Sequence, residues 1–244
     1  MQAPHDPIFN FLKWFLPPLC LNCYQPLASQ GLCHHCWSGL EFISDPFCNK
    51  CGFGLVRKNT ECTECLRFES ENRSIYTHQV RSCFYYQGSG RQLILAFKQS
   101  DRTELAYFFS AMMQFRLWHD LAPDTLVVPV PLHPIRLWLR RYNQAGLLAA
   151  QIAQSKNLEL THTLLKRNRL TKIQGKISRK NRYKNMMNAF IVKDPHHHLR
   201  ERPVLLVDDV FTTGATLSAC AKILIQNGAK HVRAITIARV KRNH

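Results

Sequence analysis

The chain has 244 residues, 45% of them hydrophobic and 20% charged, with 10 Gly and 12 Pro, a globular composition that excludes intrinsic disorder and collagen. Its length predicts one full domain plus a smaller one. Lys and Arg number 33 against 16 Asp and Glu, a formal net charge of +17, so a polyanionic partner is expected: nucleic acid, a phosphorylated metabolite or anionic lipid.

At the N-terminus, Ile8 to Leu16 has apolar residues spaced to form one face of a short helix, which we expect to pack against the segment that follows. Residues 14–40 carry no Asp, Glu, Lys or Arg, but Pro17, Pro18, Asn22, Gln25, Pro26 and Gln30 interrupt them, well short of the ~20 apolar residues a spanning helix needs. The first residues have no basic n-region and no small-residue cleavage site, so a cytoplasmic protein is expected.

Eight of the ten cysteines then fall into four CxxC pairs, Cys20/Cys23, Cys33/Cys36, Cys48/Cys51 and Cys62/Cys65. A CxxC turn aims two thiolates at one ion, and a second turn brought alongside completes a tetrahedron. The spacing suits two successive zinc ribbons, Cys20/Cys23/Cys33/Cys36 and Cys48/Cys51/Cys62/Cys65. Sequential pairing is preferred to an interleaved cross-brace because each site then closes a local loop. Redox pairs are the competing reading, set against four regular repeats in a reducing compartment. All-Cys sites leave no open coordination position, so the zinc is expected to be structural, and it supplies folding energy that so small a module lacks. His34 and His35 are expected on the exposed knuckle. Cys83 and Cys220 stand apart and are expected to be inert core thiols.

After Cys65 the mixed-charge stretch Arg67 to Gln79 reads as a linker, giving a ribbon domain over 1–74 and a larger domain over 75–244. The larger one predicts a strand at 80–86, a helix over 92–117, a strand at 126–130, a helix over 132–156, a basic loop, a short AFIV strand, the strand PVLLVDD, a helix over 215–227 ending at Gly228, and the strand VRAITIARV. Apolar strands alternating with helices predict an α/β fold with a doubly wound, mainly parallel sheet.

The most informative segment is Val204 to Thr216, VLLVDDVFTTGAT. A buried strand delivers Asp208 and Asp209 to its carboxyl end, where open α/β sheets bind ligands and carboxylates can accept from ribose hydroxyls. Thr212, Thr213 and Thr216 then offer hydroxyls, Gly214 allows close backbone approach, and the following helix presents free N–H groups to a phosphate. The pattern is neither a Walker A loop nor a Rossmann fingerprint, and it describes a ribose-5-phosphate cradle. These thirteen residues resemble the signature of the type I phosphoribosyltransferases at every position. The resemblance implies a fold of that type and a phosphoribosyl pyrophosphate site at Asp208, Asp209, Val210, Thr212, Thr213, Gly214, Ala215 and Thr216, with Mg2+ accompanying the pyrophosphate.

Further segments, Phe97-Lys98 with Asp101, VPVPLHPIR running on to Arg140-Arg141-Tyr142-Asn143-Gln144, and Thr171/Gln174/Ser178/Arg182/Asn185 leading to Ala189-Phe190, together with the Cys ribbons are similar to the ComF/GntX family. That resemblance implies a role in natural competence, the handling of imported DNA. Lys166 to Lys184 holds nine Lys or Arg in 19 residues and no acid. Lys172, Lys176, Arg179, Lys180, Arg182 and Lys184 are therefore candidate contacts to single-stranded DNA, with Tyr142, Tyr183 and Phe190 either stacking on bases or filling the core. Arg57, Lys58, Arg67 and Arg73 offer a second basic surface beside the ribbons. Two functions stay open. One is a competence protein that binds single-stranded DNA and phosphoribosyl pyrophosphate, with other DNA-uptake or recombination proteins as partners. The other is an active Mg-dependent phosphoribosyltransferase on an unidentified acceptor, in which Lys98, Arg136 and Arg140 stabilise the leaving pyrophosphate.

Overall fold

The computed structural model describes residues 17–99, 102–132, 137–138, 142–167, 186, 189–194 and 197–241. Its centre is a five-stranded sheet in the order β1-β7-β6-β2-β3, every neighbouring pair parallel. The strands are β1 (Gln79–Tyr85), β2 (Leu126–Pro129), β3 (Glu159–Leu160), β6 (Pro203–Phe211) and β7 (His231–Arg239). A separate antiparallel pair joins β4 (Leu165–Arg167) to β5 (Phe190–Val192).

Alternation along β6 explains why this sheet is covered on both sides. Leu205 and Val207 pack with Ile235, Phe97, Phe109, Leu148 and Ile152 on one face, whereas Val204 and Leu206 pack with Leu126, Val232, Leu217 and Leu224 on the other. The first face is covered by α3 (Gly88–Gln99), α4 (Glu104–Arg116) and α5 (Gln144–Lys156), and the second by α6 (Ala215–Gln226). Asn157 ends α5 in the left-handed region at φ 51°, and Gly228 at φ 101° turns the chain after α6, where the Ala229 N–H returns to Leu224 O at 3.1 Å.

Three expectations need correction. The helix expected over 92–117 is two helices, α3 and α4. The apolar series Leu93, Phe97, Leu105, Phe109, Met113 serves one face of the sheet throughout, so periodicity does not register the break. The helix expected over 132–156 is not continuous: Leu132 is non-helical, Leu137 and Trp138 are helical, Tyr142 and Asn143 are not, and a helix runs over Gln144–Lys156. The stretch expected as a linker starts inside α2 (Thr63–Ser70), and its Arg73 and Thr77 are buried.

Around the first ribbon a short helix, α1 (His34–Ser38), carries the Cys36 turn. The chain that follows covers the exposed edge of β1: Ile43 N–H donates to Cys83 O at 3.0 Å, Tyr85 N–H to Glu41 O at 2.8 Å and Val80 N–H to Lys50 O at 3.0 Å. Arg102, in the break between α3 and α4, donates to Leu21 O at 2.7 Å and lies over the Tyr24 ring, tying the first ribbon to the same face. Among the described residues no helix is long and apolar enough to cross a membrane.

Candidate phosphate-binding site and cysteine centres

The acidic pair belongs to β6 itself, because the strand continues past it to Phe211, which pairs with Arg239 of β7. Strand alternation therefore splays the two carboxylates. Asp209 follows Leu205 and Val207 onto the α3 face, where Lys98 Nζ lies 2.8 Å from its Oδ2. Asp208 follows Val204 and Leu206 onto the α6 face, where its charge is one of the influences that raise the buried Cys220 thiol, after burial itself. Burial and then the Asp209 charge push Asp208 up from 3.8 to about 8, against the Asp209 N–H donated to its Oδ1 at 2.8 Å and the Lys98 ammonium. Both influences favour the protonated form of Asp208.

The loop after Phe211 sorts its residues by accessibility. Thr212 is exposed and Thr213 and Thr216 are half-buried, whereas Val210, Gly214 and Ala215 are buried. Hydroxyls are what the loop offers to solvent, whereas Val210, still within β6, and Gly214 and Ala215 are covered. Gly214 caps α6 at φ 73° and ψ −5°, in the left-handed region. A Cβ there would sit 2.9 Å from Phe211 Cζ, and Phe211 cannot yield, being buried between the Phe68 ring and the Arg239 guanidinium. Gly214→Ala is therefore expected to destabilise the chain by about 2 kcal/mol from backbone strain and the displaced ring. Thermal unfolding should show a fall of about 5 °C in Tm, and an unchanged Tm would contradict the geometry.

Of the other expected ligand contacts, Arg136 and Arg140 lie outside the described residues, as do Lys172, Lys176, Arg179, Lys180, Arg182, Lys184 and Tyr183. Two of the candidate stacking partners are core residues. Phe190 is buried, and Tyr142 packs on Phe97 and donates its hydroxyl to Phe97 O at 2.8 Å. The basic surface expected beside the ribbons also shrinks. Arg57 and Lys58 are exposed, but Arg67 pairs with Glu64 at 3.0 Å and with Glu71 at 3.6 Å, and Arg73 is buried. Both arginines neutralise acids of the ribbon.

The eight CxxC thiols gather into two groups of four, Cys20/Cys23/Cys33/Cys36 and Cys48/Cys51/Cys62/Cys65, each with its sulfurs within 4.8 Å of one another. Sγ separations are 3.7 Å for Cys23 and Cys33, 3.7 Å for Cys48 and Cys65, and 3.5 Å for Cys51 and Cys62. A tetrahedral ion with bonds of ~2.3 Å requires edges of about 3.8 Å, so both sets fit zinc, in the sequential pairing. N–H donors already face the sulfurs: Cys33 N–H to Cys20 Sγ at 3.3 Å, Cys36 N–H to Cys33 Sγ at 3.4 Å and Asn22 Nδ2 to Cys36 Sγ at 3.4 Å. His34 and His35 are exposed and belong to neither set. Burial pushes the Cys83 thiol up to about 12 and Cys220 well above its usual range, consistent with inert core positions.

Comparison with known proteins agrees with this two-part reading. Residues 11–66 match the double zinc ribbon domain and residues 145–244 the phosphoribosyl transferase domain. Over 229 residues the chain is 31% identical to competence protein F of Haemophilus influenzae, covering 90% of this chain and 96% of that one. The chain belongs to the ComF family. Other ComF-family relatives are DNA utilization protein YhgH of Escherichia coli K12, 29% identical over 92% of this chain and 98% of its own, and competence protein ComFC of Bacillus subtilis, 27% identical over 86% and 85%.

In this ComF-family chain two arginines join the second cysteine group to the 212–216 loop, and neither was expected there. Arg73 donates Nη1 to Thr213 O at 3.3 Å, lies over the Phe68 ring at 4.6 Å and pairs through Nε with Glu71 at 2.8 Å. Arg239 is almost wholly buried between the Phe53 and Phe211 rings and donates Nη1 to Cys51 O at 2.6 Å. Arg73 sits in a polar stretch with no pattern to mark it. A charge closing the apolar run of VRAITIARV does mark Arg239, since an arginine is seldom buried without a partner.

Proposed function

We propose that this chain is a cytoplasmic competence protein that handles imported single-stranded DNA in natural transformation and binds phosphoribosyl pyrophosphate at the carboxyl end of β6. The observation that carries the reading is one arrangement: Asp208 and Asp209, with Lys98 on the second, standing before a Gly214 turn whose three accessible side chains are threonines. Thr212, Thr213 and Thr216 with the first amides of α6 would hold the 5-phosphate. The two acids would take the ribose hydroxyls, with Arg136 and Arg140 toward the pyrophosphate. Carboxylates are hard oxygen donors, which suits a site that receives Mg2+ with the ligand. DNA would be held by the basic segment that includes Lys172, Lys176, Arg179, Lys180, Arg182 and Lys184, a reading supported by the net charge of +17 and by relatives named for competence and DNA utilization.

Titration of the zinc-loaded chain with fluorescent single-stranded DNA tests this. If about six phosphates are contacted, affinity should fall by about a thousandfold between 50 and 200 mM salt. Phosphoribosyl pyrophosphate with Mg2+ should shift the curve. Binding that ignores salt, or none, would defeat the DNA reading.

A second reading, an active phosphoribosyltransferase, is favoured by a cavity of about 370 Å3 lined by Pro129, Pro131, Leu132, Leu137, Asn143, His162 and Leu165 among others. It opens at the end of β2, the strand beside β6, and is large enough for a planar acceptor. Pyrophosphate release in the same titration, on adding candidate acceptors, would favour this reading over pure binding.

A further inference from the structure

We infer that Arg73 and Arg239 are positioning residues through which the second cysteine group holds the phosphate loop in its binding conformation. The inference rests on the reading of Thr212–Thr216 as a phosphate site and goes beyond it, because it makes ribbon integrity a determinant of ligand affinity.

The contacts form a closed circuit. From the ribbon side, Cys51 O accepts from Arg239 at 2.6 Å, and Cys51 Sγ lies 3.8 Å from the same nitrogen. Glu64, buried between Cys62 and Cys65 in sequence, places Oε2 3.9 Å from Arg239 Nη2. Arg239 stacks on Phe211 at 5.1 Å and is its register partner across β6 and β7. Phe211 is the ring against which Gly214 turns. On the return path, Phe68 of α2 meets Phe211 edge to face at 6.3 Å, Arg73 covers Phe68, and Arg73 reaches Thr213 O. α2 begins just after Cys62 and contains Cys65, so both ends of the circuit are fixed to ligands of one metal centre.

The Arg73 contact acts on a particular atom. A trans peptide sets the C=O of Thr213 and the N–H of Gly214 in opposite directions in one plane. Holding the carbonyl toward Arg73 therefore turns the Gly214 N–H away from the ribbon and fixes it before any ligand arrives. Donors held in advance bind an anion without ordering cost. Two charged side chains buried between the ribbon and the loop are also an expensive arrangement for packing alone, since hydrocarbon would cover Phe68 and Phe211 more cheaply.

The test uses the full zinc-loaded chain and Arg73→Gln, Arg73→Lys and Lys241→Gln. Lys241 pairs with Glu41 on the surface and serves as control. Affinity for phosphoribosyl pyrophosphate with Mg2+ is measured by calorimetry, zinc content by metal analysis, and amide hydrogen exchange over the whole chain without ligand. Arg73→Gln should weaken binding by about tenfold with two zinc ions retained, and should speed exchange at 212–216 while leaving the centres of β2 and β7 unchanged. Arg73→Lys should recover part of both effects, and Lys241→Gln should show neither. Exchange that rises throughout the chain would make Arg73 a general packing residue and overturn the inference, as would unchanged exchange and affinity. If the unsubstituted chain binds no phosphoribosyl pyrophosphate, the site reading fails by itself, and the exchange pattern still decides whether the ribbon holds the loop.

Discussion

Replacing Asp208 and Asp209 together by asparagine is expected to weaken phosphoribosyl pyrophosphate binding by at least about 100-fold while leaving both ribbons and the sheet folded. Two charged hydrogen bonds to the sugar, at about 1.5–3 kcal/mol each, account for that factor. The effect on stability runs the other way for Asp208 alone. Its carboxyl titrates at 3.8 when free and at about 8 in the fold, so above pH 4 the unfolded chain releases a proton that the folded chain keeps. Stability then falls as pH rises from about 4 to about 8 and levels off beyond. Asp208→Asn imitates the neutral acid permanently and should abolish this part of the slope. Tm measured between pH 5 and pH 8 without ligand should decline in the unsubstituted chain and stay flatter in the variant. Parallel curves would show that Asp208 is ionised all along. Asp209→Asn behaves differently, because it strands Lys98, whose ammonium has the Asp209 carboxylate at 2.8 Å. If phosphoribosyl pyrophosphate and Mg2+ bind as proposed, the raised Asp208 carboxyl should lose its proton on binding, and the measured enthalpy should depend on the buffer.

Much of this was legible in the sequence because it is local. The four CxxC pairs set the sulfurs in twos, and the shorter loops favoured the sequential sets over a cross-brace, as the structure has them. VLLVDDVFTTGAT announced strand, turn and helix in order, and the structure keeps that order while extending the strand two residues past the acids to Phe211. Lys98 was expected to face pyrophosphate, and without a ligand its ammonium lies on Asp209, a pairing the motif did not announce. The failures came where the decisive contact spans the chain. Arg73 reaches Thr213 across 140 positions and Arg239 reaches Cys51 across 188, and nothing local distinguishes such an arginine from one in a solvated linker. Phe190 and Tyr142 stayed open between two roles for the related reason that an aromatic ring reads the same in sequence whether it stacks on a base or fills a core, and the structure packs both. The break between α3 and α4 was invisible because both helices bury the same face, although the polar run Gln99-Ser100-Asp101-Arg102 was its only trace.

Removing zinc should separate the two ribbons in time. Among the described residues the first has a small core: Cys20, Cys33 and Cys36 pack with Leu27 and Leu32, and Leu21 and Leu32 rest on the helices covering the sheet. Zinc binding, worth about 10–16 kcal/mol in comparable small modules, should supply much of its folding energy. The second shares a core with the sheet, where Cys51, Cys62 and Phe68 pack among Leu206, Phe211 and Leu217. That packing survives for a time without the ion. A strong chelator added to the folded chain with a thiol reagent should therefore release four reactive thiols quickly and four more slowly. Cys83 and Cys220, buried beneath the helices, should react only when denaturant is added. A single phase of eight would mean that the ribbons unfold as one unit, and ten without denaturant would mean that the sheet depends on them. The slow phase is the informative one, because Phe211 and Thr213 are held by residues anchored in the second ribbon. If the phosphate loop loosens in step with the last four thiols and not the first four, the ribbon nearest the loop is part of the site rather than an appendage to it.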